Sequence, residues 1–197
     1  MSEQPPAIRL TDPRALRAYA HPTRMALVGL LRLHGPLTAT RAAELLGTES
    51  VASCSFHLRQ LAKYGLVEEA GGGRGREKPW RATAAFTSWD ASPADPEQAA
   101  ATEALQRAVL DGYFARATGW LLHRGTDAPE WREAASFGDS AVLVTAAELT
   151  ELTSRIEELT RPYTERLGRP GPPPEGARAV QLIQLAVPAD TPEGSAP

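Results

Sequence analysis

One cysteine, Cys54, stands in a chain of 197 residues. It has no intrachain partner, so a disulfide framework is excluded and a reducing compartment fits better than secretion. Lysine is almost as scarce: apart from Lys63 and Lys78, every basic residue is arginine. No run of about 18 apolar residues, the length that reads as a membrane span, occurs anywhere. The first ten residues, MSEQPPAIRL, lack the apolar stretch of a secretory leader, which makes a cytoplasmic location the expectation. Catalytic signatures are missing as well. There is no G-x-S-x-G, no P-loop and no G-x-G-x-x-G nucleotide turn, and His21, His34, His57 and His123 show no i, i+3 or i, i+4 pairing suited to a metal. Neither an enzyme, a metal centre nor a bound cofactor is expected.

What is present is divided by charge. Residues 1–90 carry 12 Lys and Arg against 8 Asp and Glu, whereas residues 91–197 carry 9 against 16. A basic half followed by an acidic half suggests two different tasks.

Along the first half, Asp12-Pro13 reads as a helix entry, and His21-Pro22 ends that helix and opens the next. Leu16, Tyr19 and Ala20 share one face of the first helix, and Leu27, Leu30, Leu31 and His34 one face of the second, which stops at Gly35-Pro36. In PLTATRAAELLG, Thr38 or Thr40 caps a short helix with Ala42, Leu45 and Leu46 inward and Gly47 as its stop. Ser50 caps a further helix to about Tyr64, closed by Gly65. Two short helices joined by a tight glycine turn form a helix-turn-helix signature. Residues 66–69 and 80–83 read as strands joined by a flexible Gly/Arg segment, so the whole predicts a winged helix.

On the helix from Val51, the spacing turns Cys54, Leu58 and Leu61 inward and Ala52, Phe56, Arg59 and Lys63 outward, flanked by Ser53, Ser55 and Gln60. Small residues come first, where a helix entering the major groove by its first turn must let its backbone approach; arginine, able to pair bidentately with guanine, comes later. Arg74 and Arg76 alternate with glycines in the wing, placed for a minor groove or a phosphate. His57 sits beside the inner face and reads as a packed or capping histidine rather than a base reader.

HPTRMALVGLL, GPLTATRAAELLG and SVASCSFHLRQLAKYGLVEEA with the Gly/Arg wing resemble the ArsR-type winged-helix transcription regulators of bacteria, over roughly residues 12–86. HLRQLAKYGLV is the most specific segment. The resemblance implies a homodimeric repressor binding double-stranded DNA, with Ser53, Ser55, Phe56 and Arg59 in operator-contacting positions. The full expected DNA surface is Thr38, Thr40, Arg41, Ser50, Ala52, Ser53, Ser55, Phe56, Arg59, Gln60, Lys63, Arg74, Arg76 and Lys78. Metal-sensing members carry a Cys-x-Cys cluster in the helix before the recognition helix, but ATRAAELLG has neither cysteine nor histidine.

The expected fold class is α+β: a winged helix-turn-helix domain over 12–87, a linker over 88–95, and a C-terminal region over 96–188, with 189–197 as a disordered tail. Within 96–188, a long alanine-rich helix to about Arg124 is assigned to dimerisation. Ala141–Val144 and Ala179–Val187 read as strands flanking a helix that begins at the capping box Thr145-Ala146-Ala147-Glu148. Leu149, Leu152, Ile156, Leu159 and Tyr163 form an apolar seam that should pack against another helix, and Pro162 should kink or end the helix that carries it. Tyr113, Phe114, Trp120, Trp131 and Phe137 are available to line a small-molecule effector cavity, although aromatics at helical spacing more often form core. The competing reading is a winged-helix module that binds protein and never DNA.

Overall fold

Short elements follow one another closely in the first half because each turn between them is chemically specified. The computed structural model describes residues 7–73, 78–166 and 173–188. In chain order it contains β1 (Ala7–Leu10), α1 (Pro13–Tyr19), α2 (Pro22–His34), α3 (Ala39–Leu46), α4 (Val51–Lys63), β2 (Val67–Glu69), β3 (Trp80–Ala82), β4 (Phe86–Trp89), α5 (Pro96–His123), a 3-10 turn (Arg124–Thr126), α6 (Pro129–Ala134) and α7 (Ala146–Thr164).

The caps are those the sequence suggests. Asp12 accepts from the Arg14 N–H at 2.8 Å, and Pro13 takes the first helical position, where an N–H would go unused. Of the two threonines offered for α3, Thr38 is the cap, accepting from the Arg41 N–H at 3.2 Å. Gly47 ends α3 in the left-handed conformation, φ 68°, and Ser50 opens α4 by accepting from the Ser53 N–H at 3.1 Å. Thr145 and Glu148 close the reciprocal capping box of α7. Pro162 lies inside α7, which continues to Thr164.

The core gathers Leu16 and Tyr19 of α1, Leu27, Val28 and Leu31 of α2, Ala42 and Ala43 of α3, and Cys54, Leu58 and Leu61 of α4. Leu66, Val67 and Trp80 close it from the hairpin side. On α2 the inward face is turned from the expected one: Thr23 and Val28 are buried, Leu30 is half-buried and His34 is exposed. On α3, Ala43 takes a place beside Ala42, while Leu45 and Leu46 are only half-buried.

β2 and β3 form an antiparallel hairpin in the register Val67↔Ala82, Glu68↔Arg81, Glu69↔Trp80. Leu37 extends it, since Leu37 N–H donates to Trp80 O at 2.9 Å and Trp80 N–H to Leu37 O at 2.8 Å. The hairpin is thereby fastened to the start of α3.

Two stretches without a predicted element turn out to pair with each other. β1, in what the sequence suggests is a loose N-terminal start, runs parallel to β4, which takes in the first residues of the 88–95 segment that reads as a linker. Arg32 secures this edge from α2: its Nε donates to Ala84 O at 3.0 Å and its Nη2 to Thr87 Oγ1 at 2.6 Å. The core also includes Leu10 of β1 and Ala101 and Leu105 of α5, whose first turns pack on α1.

The strands expected at Ala141–Val144 and Ala179–Val187 are not formed. Both segments are irregular and exposed, with Leu143 fully accessible. An apolar run becomes a strand only when another strand satisfies its backbone and a layer covers its side chains, and the described residues supply neither. The C-terminal lobe thus consists of helix and irregular chain, and the β part of the α+β architecture lies before residue 90. The expected disordered tail, 189–197, lies outside the described residues.

Candidate nucleic-acid interface

α4 is held rigidly from beneath: Cys54, Leu58 and Leu61 are completely buried, as the 3.6-residue spacing requires. The opposite side presents Ala52, Phe56, Arg59 and Lys63 to solvent, with Ser53, Ser55 and Gln60 half-buried on its flanks. Phe56 is 49 % exposed, and its ring meets that of His57 edge-on, with 5.3 Å between centroids. Among the described residues, neither Arg59 nor Lys63 has a carboxylate within ion-pair distance; Lys63 Nζ lies 5.6 Å from the Tyr64 ring.

Other expected contact residues are engaged. Arg41 pairs with Glu44 at 2.8 Å, and Lys78 with Glu69 at 2.8 Å. These pairs are exposed, hence worth no more than about 1 kcal/mol each and easily exchanged for a phosphate. Thr40 is exposed beside Arg41, whereas Thr38 and Ser50 use their hydroxyl oxygens as helix caps. Arg74 and Arg76 lie outside the described residues.

Beneath the entry turn of α4 lies a polar cluster that sequence spacing does not announce. Glu49 accepts from Thr23 Oγ1 and from Ser53 Oγ, both at 2.6 Å, joining the start of α4 to the start of α2. These bonds to the ionised form hold its carboxyl below the usual carboxylate range, with that from Ser53 the stronger influence. The Ser53 hydroxyl therefore donates inward. It can offer DNA only its lone pairs.

Next to this carboxylate the rings of His21 and His57 lie against each other, tilted by 38° with centroids 4.7 Å apart. The Nδ1 atoms of both, and Arg24 Nε, are buried without a hydrogen-bond partner. Burial lowers the pKa of each imidazole, Arg24 lowers both further and Glu49 opposes the shift. The packed role expected for His57 is the one observed. The signal available in the sequence was the His21-Pro22 helix entry, but nothing local pairs it with His57.

The pH consequence has a definite sign. The unfolded chain takes up protons on these histidines near pH 6.5, whereas the folded chain takes them up only lower. Their contribution is complete above that value and is lost as pH falls below it. Glu49 acts at lower pH still, beneath its unperturbed 4.5. Melting temperature should therefore decline between about pH 7.5 and 5.5, and a His21→Asn, His57→Gln variant should show a flatter decline over that range. An equally steep decline in the variant would remove the histidines as its cause.

Cys54 is completely buried, and burial raises its thiol pKa, so it is an inert core residue. Among the described residues, no group of three or more His, Cys, Asp and Glu is placed to hold a metal ion, and no helix is long and apolar enough to cross a membrane.

A capped short helix, a glycine turn, a second helix with an exposed face and a following hairpin are thus assembled in order. A family model described as a helix-turn-helix domain matches residues 19–70. The chain carries a helix-turn-helix domain. That match spans α2, α3, α4 and β2. A comparison with curated proteins gives no match.

In the second half the aromatic residues make contacts of their own. Trp120 stacks near Phe137, 5.8 Å between centroids, and donates from Nε1 to Asp127 Oδ2 at 3.0 Å. Trp131 instead lies under Arg178 at 4.9 Å, Tyr113 under Arg116 at 5.5 Å, and Phe114 is exposed. Arg178 also pairs with Asp127 at 3.0 Å, tying the last described segment to the end of α5.

Proposed function

We propose that the chain is a sequence-specific regulator of transcription of the ArsR type, acting in the cytoplasm as a dimeric repressor on double-stranded DNA. The observation that carries this reading is the unpartnered face of α4, with small Ala52 at its entry and uncompensated Arg59 and Lys63 further along, on a helix fixed by three fully buried side chains. In this reading α4 enters the major groove, Thr38, Thr40, Arg41 and Ser50 approach the backbone, and Arg74, Arg76 and Lys78 reach from the wing to a minor groove or phosphate.

The functional division is the one charge suggests, with residues 12–87 addressing DNA and 96–188 joining two copies. Support for the second task is apolar exposure: Leu122 is 76 % exposed on α5, and Leu152, Leu159 and Tyr163 are exposed on α7. Such surface also fits the protein-binding alternative, and salt dependence separates the two, because phosphate contacts weaken steeply with ionic strength. A small-molecule effector site belongs, in this reading, to the C-terminal region, 96–188.

Selection of bound fragments from random duplex DNA is the direct test, with a pseudo-palindrome whose half-sites lie roughly 34 Å apart as the expected product. Arg59→Ala should then relax preference at one base pair per half-site by about 1–3 kcal/mol while leaving the others unchanged. Recovery of no preferred sequence would overturn the reading.

A further inference from the structure

Beside the C-terminal half of α4 lies an open depression of about 300 Å³, lined by Arg14, Arg17, Ala18, Arg24, Gln60 and Tyr64. Three guanidinium groups, two from α1 and one from α2, gather there. Only Arg17 has a carboxylate, Glu97 at 3.0 Å. Arg14 and Arg24 have none among the described residues, and Arg24 Nε is buried without an acceptor. A buried N–H of a charged group left unsatisfied is costly, and an anion held beside it would lower that cost.

Gln60 connects this hollow to the DNA reading. It lines the depression and flanks the exposed strip of Phe56, Arg59 and Lys63. An α-helix with its side chains is about 10–12 Å across, close to the roughly 12 Å width of the major groove. The strip therefore faces base edges, and the flanks of the helix face the phosphates that border the groove. On the hairpin and α3 side, Arg41, Lys78 and Arg81 are occupied by Glu44, Glu69 and Glu68. On the α1 and α2 side, Arg14 and Arg24 stand free.

We propose that the Arg14, Arg17 and Arg24 depression binds a phosphodiester of the DNA strand bordering the groove that α4 enters. This rests on α4 being the recognition helix, and adds α1 and the N-terminal turn of α2 to the backbone contacts. Arg24 supplies the preorganised donor and Arg14 a more mobile one. Arg17 is a weaker contributor because Glu97 holds it. The depression positions the protein on the duplex without reading sequence.

The test uses the full chain, the duplex recovered by selection and a random duplex of equal length, titrated between about 50 and 200 mM salt. Arg14→Gln and Arg24→Gln should each weaken both duplexes several-fold and by the same factor, and each should lower the slope of log affinity against log salt by about 1. Arg24→Lys keeps the charge and should keep the slope. If the wild-type chain binds duplex but the two Gln variants match it in affinity and slope, the depression is not a phosphate site. Failure of the wild-type chain to bind any duplex overturns the DNA reading itself. Should Arg24→Gln not fold, Arg14→Gln alone decides, as its side chain is exposed and its loss leaves the core intact.

Discussion

Leu58→Ala is expected to cost about 2–5 kcal/mol of folding free energy, a large part of the roughly 5–15 kcal/mol that stabilises an ordinary domain. Leu58 is completely buried on the underside of α4, between Cys54 and Leu61, and removing its branched end leaves a void that the surrounding elements cannot close. The neighbouring substitution, Arg59→Ala, should leave stability within about 0.5 kcal/mol of wild type, because that side chain is exposed and makes no ion pair among the described residues. Denaturant midpoints of the two variants give the comparison. If Leu58→Ala melted with the wild-type chain, α4 would not be anchored in the core as described. One residue along the helix separates a change that strongly destabilises the domain from one that alters only what its surface can bind.

Leu105→Ala should have an effect of similar size, about 2–5 kcal/mol, and tests a different property of the fold. Leu105 is on α5 and completely buried, with Ala101 and Thr102 beside it, in the same core that holds α1. Its loss should destabilise the helix-turn-helix domain and the first turns of α5 together, in one cooperative transition. The long helix would then carry any displacement in the C-terminal half directly to α1. A variant in which α5 loosens alone, while the helix-turn-helix domain keeps its wild-type midpoint, would show that the two are independent units.

The contrast between these residues and those further along α5 marks how far the chain by itself satisfies its own apolar surface. Ala101 and Leu105 are covered, but Phe114, Leu121 and Leu122 are exposed, and so are Val142, Leu143 and Val144. Every one of them is apolar in sequence. The difference lies in what the tertiary structure brings opposite them, and α1 reaches only the start of α5.

The elements that the sequence describes well are those whose causes are local. Asp12-Pro13, Ser50 and the Thr145–Glu148 box announce helix starts through hydrogen bonds to residues two or three positions away, and the inward face of α4 follows from helical geometry alone. The strand pair β1 and β4 was illegible for the opposite reason. AIRL and FTSW are too short to signal a strand by pattern, and each becomes one only because α2, through Arg32, and the core bring the other alongside. Ala141–Val144 erred in the other direction: its composition suits a buried strand, but composition cannot provide the neighbour.

The candidate site divides in the same way. The exposed strip of α4, the caps and the glycine turn were set by amino-acid order, since each depends on positions within one or two helical turns. The contact of His21 with His57, the Glu49 bridge to Thr23, and the guanidinium hollow beside Gln60 were decided only by folding. They join side chains from separate helices, and no periodicity within one helix encodes where another helix will lie against it.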